Sequence, residues 1–256
     1  MPALRRLATI AMLLVATLPA SACLPLELDD LPPVVVWPSA SPAPAPPSDS
    51  LPPATPTGSA LVAVPRLAVK GRAPRTGYDR ALFGPAWRDT DHNGCDTRND
   101  VLRRDLTDDV IKAGTHGCVL LTGTLDDPYT GTVIDFVRGE GTSSLVQIDH
   151  VVALSDAWQK GAQQWSAPVR ESFANDSLNL LAVDGPTNQG KGDGDAATWL
   201  PPKSYRCAYA ARIVAVKVTY GLWVTSTERD ALAGILLTCP AEPLPQRDAF
   251  VLGAVS

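Results

Sequence analysis

The spacing of apolar residues predicts several helices after residue 96. Apolar positions recur every three or four residues from Thr97, where a capping sequence begins, through Val110 and Ile111. The same spacing recurs over residues 157–173, 205–220 and 228–237. Gly221 is placed to end the helix over residues 205–220, and Thr225 or Thr227 is placed to begin the helix over residues 228–237.

Other segments carry the β-prone residues and turn signals of strands. Residues 122–137 predict a hairpin that turns at Asp126-Asp127-Pro128, and residues 145–150 predict the next strand. A further strand over residues 178–181 leads through a turn at 184–186 into a short helix.

The first 60 residues show neither the helical spacing nor the strand signals of the rest of the chain. Two arginines precede an apolar run of 14 residues, 7–20, which is too short for a bilayer span of roughly 20 residues. Small residues follow, so residues 1–23 are interpreted as a secretory signal peptide. Cys23 directly after them resembles a bacterial lipoprotein signal, although Ala20 stands where leucine is usual. Lipidation of Cys23 and ordinary cleavage therefore both stay open.

Residues 24–60 are predicted to be a disordered linker. Eleven prolines fall between Pro25 and Pro56, interleaved with alanine and serine, and the segment has no lysine or arginine. Such a composition favours extended conformations and cannot bury a core. The folded domain is therefore expected over residues 61–256.

Export explains the other four cysteines, Cys95, Cys118, Cys207 and Cys239. An even number in an oxidising compartment predicts two disulfides, for which three connectivities exist. Sequence order favours Cys95–Cys118 and Cys207–Cys239, and the second pair lies at adjacent ends of two predicted antiparallel helices. A zinc site is disfavoured because no pair has CxxC spacing.

The net charge limits the kind of nucleic-acid binding to be expected. The chain carries −5, and −3 remains once Arg5, Arg6 and the four acidic residues of the linker are left out. This is not the basic footprint of a tight or sequence-specific binder. It disfavours a regulator but is compatible with an enzyme that meets phosphate through a metal and releases its product.

Polar residues suited to catalysis lie at the ends of the predicted strands. Asp149 and His150 end one strand, Asn179 lies in the next, and Asn188 and Lys191 begin the helix that follows. A neutral imidazole at His150 can accept a proton from water near pH 7. Asp149 and Asn188 offer the hard oxygen ligands that Mg²⁺ prefers.

This order of strand, long connection, strand and helix resembles the HNH endonucleases, whose core is the ββα-metal or His-Me finger. It is also similar to the HNH domain of RNA-guided CRISPR nucleases and to the nuclease half of modification-dependent restriction enzymes. The resemblance covers most of residues 78–240, with the specific motif confined to 148–193. It implies an α+β, disulfide-braced ββα-metal core with additional helices and a hairpin, which hydrolyses phosphodiester bonds.

The resemblance also implies roles for individual residues. His150 would be the general base, Asn179 would orient it, and Asn188 would complete the catalytic set. Asp149 and Asn188 would hold one divalent metal, with Mg²⁺ favoured and Mn²⁺ as the alternative, and Lys191 would face a phosphate.

The implied partner is DNA, with RNA as the alternative and with little sequence specificity. The signal peptide and the lipoprotein-like Cys23 predict an exported bacterial protein, extracellular or tethered to the cell surface. Membrane contact is expected only through a lipid on Cys23, and no protein partner is inferred.

One further motif is independent of this resemblance. Residues 89–94 follow the D-x-D-x-N-G start of a calcium loop, with Asp100 at the twelfth position, where glutamate is usual. A turn pinned by a disulfide is favoured over a structural Ca²⁺ site. A non-catalytic Ca²⁺-binding envelope lipoprotein is the competing function. Arg98, Asp100 and Arg104 are further candidates to line a nuclease cleft.

Overall fold

The computed structural model describes residues 58–247. The predicted signal peptide, Cys23 and all but the last three residues of the predicted linker lie outside the described residues. Within 58–247, no helix is long and apolar enough to cross a membrane.

The described residues form helices and strands in a mixed order. They are α1 (Ala60–Ala63), α2 (Thr97–Asp105), β1 (Thr107–Ile111), β2 (Leu120–Asp126), β3 (Val133–Val137), β4 (Val146–His150), α3 (Leu154–Gln159), α4 (Ala167–Ala174), β5 (Leu180–Asp184), α5 (Gly185–Lys191), α6 (Arg206–Tyr220) and α7 (Ser226–Leu237). Single 3₁₀ turns lie at Val64–Arg66, Arg80–Phe83, Ala162–Gln164 and Lys203–Tyr205. The α+β class and the predicted hairpin are confirmed.

Two small antiparallel sheets position the motif. Strands β1, β2 and β3 pair in that order, and β4 pairs with β5 so that His150 lies opposite Leu180. Helix α5 follows β5 directly and is capped by Asp184, whose carboxylate accepts the amide hydrogen of Thr187. The strand, strand and helix expected around the motif are therefore present.

Two apolar clusters form the core. A smaller cluster joins α2 to the strands and includes Leu102, Leu120, Phe136 and Ile148. A larger cluster packs α1, α3, α4, α6 and α7 together, and Ala60, the last residue of the predicted linker, is fully buried in it. The β4–β5 pair lies between the two clusters, because Leu180 belongs to the first and Leu181 to the second.

Two predicted helices differ from those observed. The helix that begins at Thr97 ends at Asp105, and Val110 lies instead in β1, where it pairs with Thr122. Cross-strand pairing thus overrides a chance helical spacing of β-branched residues. The helix predicted over 157–173 is interrupted at Gly161, whose φ is 132°. A side chain there would also approach the Trp223 ring to 3.3 Å.

The structure contains two disulfides, Cys95–Cys118 and Cys207–Cys239. They are the pairs that sequence order favours. The first pins the loop before α2 to the segment before β2. The second joins the start of α6 to the residues after α7, as expected for neighbouring antiparallel helices.

Candidate active site

The geometry of the site comes from one strand face packed against one helix face. Gln147 and Asp149 alternate with buried Ile148 along β4, so they point to the same side of the sheet. Asn188 and Lys191 are three residues apart on α5 and therefore share one helix face. Asn188 meets Gln147, and Lys191 meets Asp149.

His150 ends β4 and is held in one tautomer. Its Nε2 lies 2.8 Å from the carbonyl oxygen of Ala174, and because a carbonyl only accepts, Nε2 must carry the proton. The basic nitrogen is then Nδ1. Burial lowers the pKa of His150 to about 3, against the opposing effect of the Ala174 hydrogen bond. The imidazole is therefore neutral near pH 7.

Asp149 lies in a buried network of opposite charge and hydrogen bonds. The Tyr129 hydroxyl donates to its Oδ2 at 2.5 Å, and the Lys191 ammonium lies 3.0 Å from Oδ1. Burial raises the pKa of Asp149, while Lys191 and Tyr129 oppose that rise. Burial also raises the pKa of Tyr129 well above its usual range, so its hydroxyl remains a donor.

Lys191, which the sequence predicts to face a phosphate, is the last residue of α5. Its side chain is buried, and it donates to the carbonyl of His150 as well as to Asp149. The helix face that carries Asn188 also turns Lys191 inward, where its charge neutralises Asp149. The contact of Lys191 with a phosphate stays a prediction.

Asn188 and Asn179 have different surroundings. Asn188 is half-buried and donates through Nδ2 to Gln147 Oε1 at 3.0 Å. Within residues 58–247 no group donates to its Oδ1. Asn179 is fully buried and forms a pair of hydrogen bonds with the backbone of Val152, accepting at 2.8 Å and donating at 3.2 Å. It thereby fixes the turn that follows His150.

These residues open onto a cavity of about 340 Å³. Asp149, His150 and Asn188 line it together, which brings the three predicted residues into one site. The other polar and aromatic lining side chains were not assigned to the motif from sequence, and they include Arg80, Trp87, Arg98, Ser143 and Gln147. Of the three candidates at α2, Arg98 lines the cavity, whereas Asp100 and Arg104 do not.

Trp87 forms one wall of the cavity beside His150. The two rings are nearly parallel, 13° apart, with centroids separated by 6.4 Å. Trp87 adopts a left-handed backbone, φ 61°, which is uncommon for a bulky residue. The Thr97 amide donates to the Trp87 carbonyl and so links this conformation to the start of α2.

Comparison with known proteins identifies the family. Residues 96–235, more than half of the chain, match the model of the C-terminal domain of GmrSD restriction endonucleases. The chain belongs to this family. One relative is an uncharacterized secreted protein of the fungus Arthroderma benhamiae. The two sequences are 40% identical over 209 residues, which cover 80% of this chain and 95% of the relative.

The GmrSD C-terminal domain match includes every residue of the proposed motif, from Asp149 to Lys191. Arg80 and Trp87 precede the matched region, yet both line the same cavity. The cavity of this nuclease-like domain is thus lined partly by residues from outside the region that matches the family. No local sequence pattern could have found them, because their approach to His150 depends on the tertiary fold.

The family implies a metal, and the donor chemistry can be tested against one. No group of three or more His, Cys, Asp or Glu side chains suited to a metal exists among the described residues. Mg²⁺ needs few protein ligands because it keeps most of its waters. Asp149 offers carboxylate oxygens and Asn188 an amide oxygen that accepts no hydrogen bond within residues 58–247, so the pair fits such a cation. Lys191 also pairs with Asp149 and so reduces the negative charge that this carboxylate offers to a cation.

The Asx-rich loop before α2 is held together by its own hydrogen bonds. The Asn93 side chain donates to Asp91 and Asp100, and the Gly94 amide donates to Asp89. Burial and the neighbouring carboxylates raise the pKa of Asp100 to about 6, opposed by the Asn93 hydrogen bond. The loop agrees with the favoured disulfide-pinned turn, and it adds no observation that favours the calcium-binding alternative.

Proposed function

We propose that the protein is an exported, metal-dependent endonuclease that hydrolyses phosphodiester bonds of DNA. The observation that carries this proposal is the hydrogen bond from His150 Nε2 to the Ala174 carbonyl, in a cavity shared with Asp149 and Asn188. The bond leaves Nδ1 as a neutral base. Membership in a family of restriction endonuclease domains supports the same reaction class.

His150 is the general base in this proposal. Nδ1 takes a proton from the attacking water as the oxygen approaches phosphorus. The Ala174 carbonyl keeps the proton on Nε2 and stabilises the imidazolium that forms. Asn179 is a positioning residue, because its paired hydrogen bonds to Val152 fix the turn adjoining His150.

Asp149 and Asn188 would hold the divalent metal, with Mg²⁺ preferred and Mn²⁺ as the alternative. When bound, such a cation neutralises charge on the phosphate and on the departing oxygen. Tyr129 and Lys191 keep the Asp149 carboxylate in place through short contacts. Gln147 orients the Asn188 amide so that its oxygen stays available.

Little sequence selectivity is proposed for the substrate. The domain is net acidic in composition, so recognition would be local to the cavity. RNA is the alternative substrate and forms a separate arm of the test.

Export is proposed on two grounds. The fungal relative is described as secreted, and the domain carries two disulfides, which persist in oxidising compartments. A fungal relative gives no support to a bacterial lipid anchor. Secretion is therefore the proposed state.

The proposal is tested by nicking of supercoiled plasmid with purified protein in Mg²⁺, Mn²⁺ or EDTA, with RNA in parallel. We expect EDTA to abolish nicking and His150→Ala to reduce it by roughly 10²–10⁴-fold, the usual contribution of a general base. His116→Asn is the matched control. His116 is exposed with φ 52°, a backbone that asparagine tolerates. Undiminished metal-dependent nicking by His150→Ala would disprove the assignment.

A further inference from the structure

Arg98 occupies an unusual position for an arginine. It is the second residue of α2, its side chain is half-buried, and it lines the cavity that contains His150 and Asp149. It therefore presents a positive charge to the site from an element outside the β4–β5–α5 motif.

Arg98 has no hydrogen-bond or ion-pair partner among the described residues, in contrast to Arg104 and Arg138. It donates no hydrogen bond and forms no ion pair within 58–247. Arg138 donates to the Leu120 carbonyl and to Asn99. Arg104 pairs with Asp105 and donates to the Leu180 carbonyl. These two arginines serve the fold, and Arg98 does not.

The surroundings of Arg98 are electrostatically unfavourable for a cation. Burial lowers its pKa, the nearby charge of Arg138 lowers it further, and Asp96 opposes both. The first turn of a helix is also its positive end, where cations are disfavoured and anions are bound well. Folding alone gives no reason for a half-buried, unpaired arginine at this place.

We propose that Arg98, together with exposed Arg80 in the same cavity, binds a phosphate of the nucleic-acid substrate beside the scissile bond. The inference rests on the proposed nuclease function and adds a phosphate contact from outside the β4–β5–α5 motif. A guanidinium suits this task, because its planar fork binds two phosphate oxygens at once. An anion there would also relieve the repulsion between Arg98 and Arg138.

The test measures DNA binding separately from cleavage. Full-length protein carrying His150→Ala is titrated with a short fluorescent duplex over a series of salt concentrations. Adding Arg98→Met should weaken binding about 10-fold and lower the slope of log affinity against log salt by about 1, as for one lost phosphate contact. Arg98→Lys should restore the slope but only part of the affinity, because lysine lacks the fork.

Arg103→Met is the matched control, since Arg103 lies on the same helix but does not line the cavity. It should leave the salt slope unchanged. Thermal unfolding supplies a second readout: Arg98→Met should unfold at the same or a higher temperature than its parent, because it removes a desolvated charge. A merely structural arginine would give a lower temperature.

The outcomes separate this inference from the nuclease proposal. Plasmid nicking with an unchanged KM in Arg98→Met, tested with His150 intact, would overturn the phosphate site and leave the nuclease standing. Arg98-dependent binding by a protein that nicks no substrate would support the site and remove the nuclease. Absence of any DNA binding by the His150→Ala protein overturns the inference too.

Discussion

At the residue scale, Asn179 fixes the turn that follows His150. Its side-chain amide donates to and accepts from the backbone of Val152, while its own carbonyl accepts from Val151. The amide group thus extends strand-like pairing beyond the end of β4. Only a side chain with both a donor and an acceptor can do so.

Asn179→Asp is expected to impair both stability and turnover. The shape is kept, but a carboxylate cannot donate to the Val152 carbonyl, and a buried group without its partner costs about 1–3 kcal/mol. Urea denaturation should show that loss. Plasmid nicking below the unfolding range should show a lower kcat with little change in KM, since Asn179 positions His150 and does not touch substrate. Unchanged kcat in a destabilised variant would contradict the positioning role.

The sequence motif predicts residues that line one cavity, but it could not predict all their contacts. Asp149, His150 and Asn188 meet because strand alternation and helical spacing are local rules, readable from residue order. The inward turn of Lys191 depends on how α5 packs on β4. Tyr129 and Trp87 come from distant segments, so their contacts with Asp149 and His150 required the tertiary structure.

At the scale of elements, the site depends on how closely α5 approaches the start of β4. Gly185, the first residue of α5, donates its amide hydrogen to the Leu145 carbonyl. A Cβ at this position would lie 2.2 Å from the Ser144 carbonyl oxygen. The closeness of this approach fixes where Asn188 and Lys191 meet β4.

Gly185→Ala is therefore expected to push α5 away from β4. Backbone is the obstacle, so the clash cannot be relieved by a side-chain rotation, and we expect a loss of about 1–3 kcal/mol, as for overpacking. Gly190→Ala is the control in the same helix, because nothing lies within 4 Å of its added Cβ. That change should stabilise by about 0.5–1 kcal/mol. Thermal unfolding of both variants checks the prediction, and equal effects would contradict it.

Helix ends were predictable where capping is local. Gly221 adopts the left-handed conformation that ends α6, and the Thr225 hydroxyl accepts the Glu228 amide hydrogen at the start of α7. The strand at residues 107–111 was missed because its pairing with β2 is a non-local effect. Local signals therefore predicted the ends of α6 and α7 better than they predicted that residues 107–111 form a strand.

At the scale of the whole molecule, the two disulfides are expected to act differently. Replacing both Cys207 and Cys239 by serine opens a loop with a sequence separation of 32 residues, worth about 3–4 kcal/mol. This pair lies away from the cavity, so DNA affinity should persist. Replacing Cys95 and Cys118 frees the loop that precedes Arg98 and should weaken DNA binding as well as stability. Denaturation and anisotropy of both double variants measure this; identical binding losses would contradict it.

A network of six charged side chains, five of them buried and Arg72 exposed, ties the helices together. Its members are Arg72, Asp156, Lys160, Asp195, Lys217 and Glu228. Three positive and three negative groups balance within the network, which joins α3, α6 and α7 to the segment after α5. Because removing one member of such a network leaves a buried charge uncompensated, single substitutions should be costly.

Asp195 makes that network sensitive to acid. Burial alone would raise its pKa, but the hydrogen bond and charge of Lys160 and the charge of Arg72 outweigh it and lower the pKa to about 2. A carboxylate whose folded pKa is depressed stabilises the fold above its unfolded value of about 3.9, and the effect is lost as pH falls from there towards 2.

Asp195→Asn should therefore lower the free energy of unfolding by about 2 kcal/mol at pH 7, with a smaller difference from wild type at pH 3. Urea denaturation across this range measures the difference. Asp230→Asn is the control, because the Asp230 ion pair with Arg229 is exposed and worth little. The wild-type advantage shrinks on acidification because protonated Asp195 no longer compensates Lys160 and Arg72. An advantage that stays constant from pH 7 to pH 3 would show that Asp195 stabilises the fold without its charge.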